Sequence, residues 1–105
     1  MAGVRLTAED RWFIEHSTGA PAPLQQRAAH YLERHRKSGL SSRLADAAGA
    51  ALHTVLAHRG DRSVALDLLA ADALVTLALK ARALEDPAGL ARFAAELRGR
   101  HETAE

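Results

Sequence analysis

The stretch SVALDLLAADALVTLALKARALE, residues 63–85, decides how this chain folds. Its apolar residues recur at helical spacing and no strand-like alternation competes with them. At a rise of about 1.5 Å per residue, a helix over this run spans roughly 33 Å. The longest apolar part, Val64 to Leu79, is shorter than the about 20 residues of a membrane span and carries Asp67 and Asp72. It predicts a buried helix and no membrane partner.

Setting each residue about 100° after the last gives this helix two apolar sides. Val64, Leu68, Val75 and Leu79 form one stripe; Leu66, Leu74, Leu77 and Leu84 form the second. A helix apolar on two sides has to be covered on two sides. Either it lies at the centre of a bundle, or one stripe lies in a subunit interface, with Leu66, Leu74, Leu77 and Leu84 as the candidate residues. Between the stripes, Asp72, Thr76 and Lys80 line up at i, i+4 and i+8 as a narrow polar seam. Facing solvent, such a seam is a weak charge ladder; covered, it becomes a buried polar site that needs partners.

Working outward, Asp61 or Ser63 caps this helix, and Gly60 suits the left-handed stop of a preceding helix that begins at Ser41 or Ser42. Downstream, Asp86-Pro87 is a cap followed by a first-turn proline, which opens a fifth helix to about Arg98 and leaves Gly99 to Glu105 as a fraying tail. Upstream, Pro23 belongs to the first turn of a second helix ending near Lys37, whose basic Arg34-His35-Arg36-Lys37 suits the negative end of the dipole. Thr7, with Asp10 three residues on, starts a short helix from Ala8 to His16. The expected fold is all-α: a small helical bundle of four main helices plus a short N-terminal helix, in a single domain over residues 1–105. Leu24, Ala28, Tyr31, Leu32 and His35 should face inward from the second helix. Leu44, Ala45, Ala48, Leu52, Val55 and Leu56 do so from the third, and Leu90, Phe93, Ala94 and Leu97 from the fifth.

With 48% hydrophobic and 26% charged residues the chain is globular in composition, yet only 4% are aromatic, so the core is thin per residue. Thin cores of this length gain from association, and a homo-oligomer, a dimer first, is the expected state. Balanced charge, 14 basic against 13 acidic residues, offers nucleic acid or acidic lipid no general attraction. The lack of cysteine excludes disulfides and thiolate chemistry, and with no apolar signal core in Met1-Ala2-Gly3-Val4-Arg5 it suggests the cytoplasm.

Chemistry is hard to find. His30 and His35 are five apart, as are His53 and His58, so each pair diverges by about 140° on a helix and cannot chelate. His30 and Glu33 share a face, but the duplicated Glu-x-x-His of di-iron bundles is missing. No metal, cofactor or catalytic residue is therefore assigned. Arg11 and His16 match the loose Arg-x4-6-His pattern of HEPN-type ribonucleases, whose three permitted spacings 12 Arg and 6 His would satisfy about twice by chance. Phosphate loops, zincin motifs and nucleophile elbows do not occur. What remains is a non-enzymatic module that binds itself or another protein.

One segment suggests an alternative. Residues 44–61, from Leu44-Ala45-Asp46-Ala47-Ala48-Gly49 to Arg59-Gly60-Asp61, resemble the helix-turn-helix of TetR-type repressors, with Gly49 in the turn and Leu52 to His58 on the recognition helix. That resemblance implies DNA binding, with Arg34, Arg36, Lys37, Arg43 and Arg59 as phosphate contacts. Against it, Ala51 stands where the family caps the second helix with Ser or Thr, and the apolar stripe keeps one phase from Leu44 to Leu56. The periodicity predicts a third helix continuous across Gly49.

Overall fold

The computed structural model describes residues 6–36 and 39–103. Among them are five α-helices and no strand: α1 (Ala8–His16), α2 (Ala22–Glu33), α3 (Leu40–Ala57), α4 (Ala65–Glu85) and α5 (Leu90–Thr103). Local chemistry sets most of the boundaries. The Thr7 hydroxyl accepts from the Asp10 N–H while the Asp10 carboxylate accepts from the Thr7 N–H, a reciprocal capping box at the head of α1. Asp61 accepts from the Ser63 N–H and leads a 3-10 turn, Arg62–Val64, into α4. Asp86 does the same for Gly89 across Pro87–Gly89 before α5. Gly60, just beyond α3, takes φ +84°, which costs a residue without Cβ nothing.

Three ends depart from the local signals. α2 stops at Glu33, short of Lys37, because the Arg43 guanidinium from α3 takes the carbonyls of Leu32 and His35 that further helix would have used. Lys37 itself lies outside the described residues. α3 starts at Leu40, and Ser41 does not act as its cap. Instead, the Ser41 N–H and hydroxyl donate to the Glu85 carboxylate at 3.3 and 2.8 Å, so an acid from the end of α4 neutralises the start of α3. α5 runs on through Gly99 to Thr103, past the expected stop at Arg98; one helical glycine costs only about 1 kcal/mol and no proline follows.

α3 passes unbroken through Gly49. Residues 44–57 are thus a single helix rather than two helices around a turn. Ser41 meeting Glu85 shows that α3 and α4 run antiparallel, and their contact is the most extensive in the molecule. Alanine lines it: Ala45, Ala47, Ala48 and Ala51 on α3, and Ala70, Ala71, Ala78 and Ala81 on α4, are all buried. α2 and α5 also pack on α4, which is the central helix. Phe13 of α1 closes the core with Tyr31 and Leu32 of α2, while Phe93 and Leu97 of α5 join it as expected. Leu52, Val55 and Leu56, at the far end of α3, are only half-buried.

Candidate functional site

α4 is covered on one side. Its buried residues are Asp67, Ala70, Ala71, Leu74, Leu77, Ala78 and Ala81, which share one face at helical spacing. The proposed interface stripe therefore divides. Leu74 and Leu77 are core residues enclosed by the chain's own helices, Leu66 is half-buried, and Leu84 is 67% exposed. Leu66 cannot join the uncovered side, because its direction lies nearer to Leu77 than to the outward face. The uncovered side instead carries Leu68, 51% exposed, and Leu69, 54% exposed, with Ala65 and the half-buried Leu79 and Ala83. Val64 and Val75, from the first stripe, are half-buried at its margin.

Along the middle of this outward face lie Asp72, Thr76 and Lys80, all exposed. The Thr76 hydroxyl donates back to the Asp72 carbonyl at 3.0 Å. Neither the Asp72 carboxylate nor the Lys80 ammonium has an ion-pair partner among the described residues. The seam is the solvent-facing ladder, framed by leucines.

Buried charge gathers elsewhere. Arg43 is 2% exposed. Its Nη1 donates to Glu9 Oε1 at 3.1 Å and its Nη2 to Asp10 Oδ1 at 3.4 Å, joining α3 to α1. Nε donates to the His35 carbonyl at 2.7 Å, and Nε and Nη2 both reach the Leu32 carbonyl. Burial opposes ionisation of Asp10, but the Thr7 hydrogen bonds and the Arg43 and Arg36 guanidiniums outweigh it and hold the carboxyl below its ordinary value. Arg43 also floors a cleft of about 380 Å³ between α1 and α2, whose walls include Leu6, Phe13, Ile14 and Ala29. The guanidinium is spent on internal partners, so the cleft is a seam between helices with an apolar rim.

Asp67 is the second buried charge, 3% exposed. It accepts from the Tyr31 hydroxyl at 2.7 Å and from Arg27 Nη1 at 3.0 Å, tying α2 to the start of α4. Burial pushes the Tyr31 phenol above its ordinary value, with the Asp67 charge adding to the rise. Neither cluster was singled out from the sequence as a site. Asp67 could have been: it stands seven residues before Leu74, in the same helical phase, so a carboxylate there points into the core. Arg82 makes the third link, between α4 and α5. Its guanidinium lies 4.3 Å from the Phe93 ring centroid and donates to Ser42 Oγ at 3.3 Å.

Of the basic residues suggested for DNA, Arg34, Arg36, Arg43 and Arg59, the described ones, do not assemble. Arg43 is buried, and Arg36 pairs with Glu33 and Asp10. Arg34 precedes α3 and Arg59 follows it, and 18 helical residues set the ends of α3 about 27 Å apart. Of the histidines, His16 stacks on Trp12 with ring centroids 4.0 Å apart and closes α1, and His35 is half-buried. Among the described residues no three His, Asp or Glu side chains converge to hold a metal ion, and no helix is long and apolar enough to cross a membrane. The chain matches no family model, and neither the curated proteins nor the solved structures contain a match to it.

Proposed function

We propose that this chain is a non-enzymatic helical module that works by associating with a second copy of itself through the outward face of α4. The observation that carries this reading is the pair of half-exposed leucines, Leu68 and Leu69, on the uncovered side of the central helix. Fully burying a leucine is worth about 1.5–3 kcal/mol, so roughly half of that is left to recover at each, and a two-fold contact counts each residue twice. The buried charges support the same reading, since Arg43 and Asp67 direct their hydrogen bonds to neighbouring helices and serve to hold the bundle together. A cytoplasmic setting accords with a chain that contains no cysteine.

The test is sedimentation equilibrium of the wild type and Leu69→Asp at micromolar concentration, with helicity followed by circular dichroism. The reading requires a wild-type dimer and a variant that is monomeric with unchanged helicity, because Leu69 is not part of the core. A wild type that remains monomeric across that range refutes it.

A further inference from the structure

We infer that two copies pair antiparallel along α4, about a two-fold axis passing beside Thr76. This rests on the self-association reading above and adds a register to it. Ala65, Leu69, Asp72, Thr76, Lys80 and Ala83 fall within about 40° of the direction of Thr76 on the helix, so they form the centre of the outward face. Their charges are arranged symmetrically. Asp72 lies four residues before Thr76 and Lys80 four residues after it, and neither has an ion-pair partner among the described residues.

Within one chain the two are eight residues apart, about 12 Å along the axis, too far to pair. An antiparallel second copy centred on Thr76 brings Asp72 to the level of Lys80 of that copy, and does so twice. The exposed Leu68 flanks this face on one side, about 80° from Thr76. Leu69 comes level with the small Ala83, so a large side chain meets a short one near the centre. A parallel, in-register pairing would instead set Asp72 against Asp72 and Lys80 against Lys80, which like charges oppose.

Charge reversal tests the register. Asp72→Lys and Lys80→Asp should each weaken self-association by about ten- to thirtyfold, since both symmetry-related pairs become repulsive. An equimolar mixture of the two variants should restore wild-type affinity, because every pair in the mixed dimer is again opposite in sign. Oxidation of Thr76→Cys should give a covalent dimer, whereas Ala95→Cys on the exposed side of α5 should not; the chain has no other cysteine to confuse the result. If the wild type dimerises but the reversed variants associate as tightly as it does, or Thr76→Cys does not cross-link, the register is overturned and self-association stands. A monomeric wild type overturns both.

Discussion

Replacing Arg43 by methionine keeps an aliphatic stem in the core and removes the guanidinium that joins α1, α2 and α3. Deleting one partner of a fully buried ion pair costs about 3–5 kcal/mol. That figure is too large here, because the Glu9 side chain is 34% exposed and Asp10 14%, so both carboxylates regain water and the ionic part falls towards the below about 1 kcal/mol of surface pairs. The larger loss is at the His35 carbonyl, since the Leu32 carbonyl still accepts from the His35 N–H at 3.2 Å, and a buried acceptor left without a donor costs about 1–3 kcal/mol. Allowing for partial exposure of His35, the sum is about 2–4 kcal/mol, against a total of about 5–15 kcal/mol for a small domain. With a urea slope of about 1–3 kcal/mol per molar, the midpoint should drop by about 1–3 M. Two probes should separate in the variant. Trp12, the single tryptophan, reports through its fluorescence on α1, which loses its tie to α3; far-ultraviolet circular dichroism reports on all the helices. α1 should loosen first. A midpoint unchanged within error, with the two probes coincident, would refute the assignment of Arg43 as the bolt between these helices.

Gly49→Ala should stabilise the fold by up to about 1 kcal/mol in the same urea titration, since Gly49 is interior to α3 and nothing lies within 4 Å of an added Cβ; destabilisation would mean that a turn exists there. Stability should be level near neutral pH and fall as the pH drops below about 4: a carboxyl held below its unfolded value, as Asp10 is, stabilises above that value and ceases to as it protonates in the fold. Asp10→Asn should be less stable at neutral pH and flatter through the acid limb, measured by thermal melts across the range. The single tyrosine makes the opposite limb readable by phenolate absorbance. Tyr31 should ionise above the about 10 of a free tyrosine, and its contribution, present below that value, should be lost as the pH rises through the folded one; Asp67→Asn should bring the titration back down.

Helix starts were legible because their signals are local. Thr7 with Asp10 caps α1 where the sequence implies it, while Asp61 and Asp86 act over two or three residues to cap 3-10 turns that lead into α4 and α5, whose first residues are Ala65 and Leu90. The end of α2 and the start of α3 were not, since one is terminated by Arg43 and the other neutralised by Glu85, both from other helices. Periodicity identified α4 as apolar on two sides but could not say which side its neighbours would take. The outcome turned on its alanines: Ala70, Ala71, Ala78 and Ala81 share the phase of Leu74 and allow α3 to approach closely, so that face was buried and the direction of Leu68 and Leu69 was left outside. Asp67 shares the buried phase, although a charge in an apolar run has the look of a surface residue.

The alanine seam between α3 and α4 has a consequence for how this protein can change. Methyl groups let helix axes approach towards the lower end of the about 8–10 Å range, and nothing there can yield to a larger side chain without moving a whole helix. α4 is also the helix whose other face is exposed, so the thickness of the seam sets how far Leu68, Leu69 and Asp72 stand out from the body. A variant such as Ala78→Val, made in the core, would have its effect read on the opposite side of the same helix. Drift in this sequence is therefore constrained by size along the buried line of α4, directly behind its exposed face.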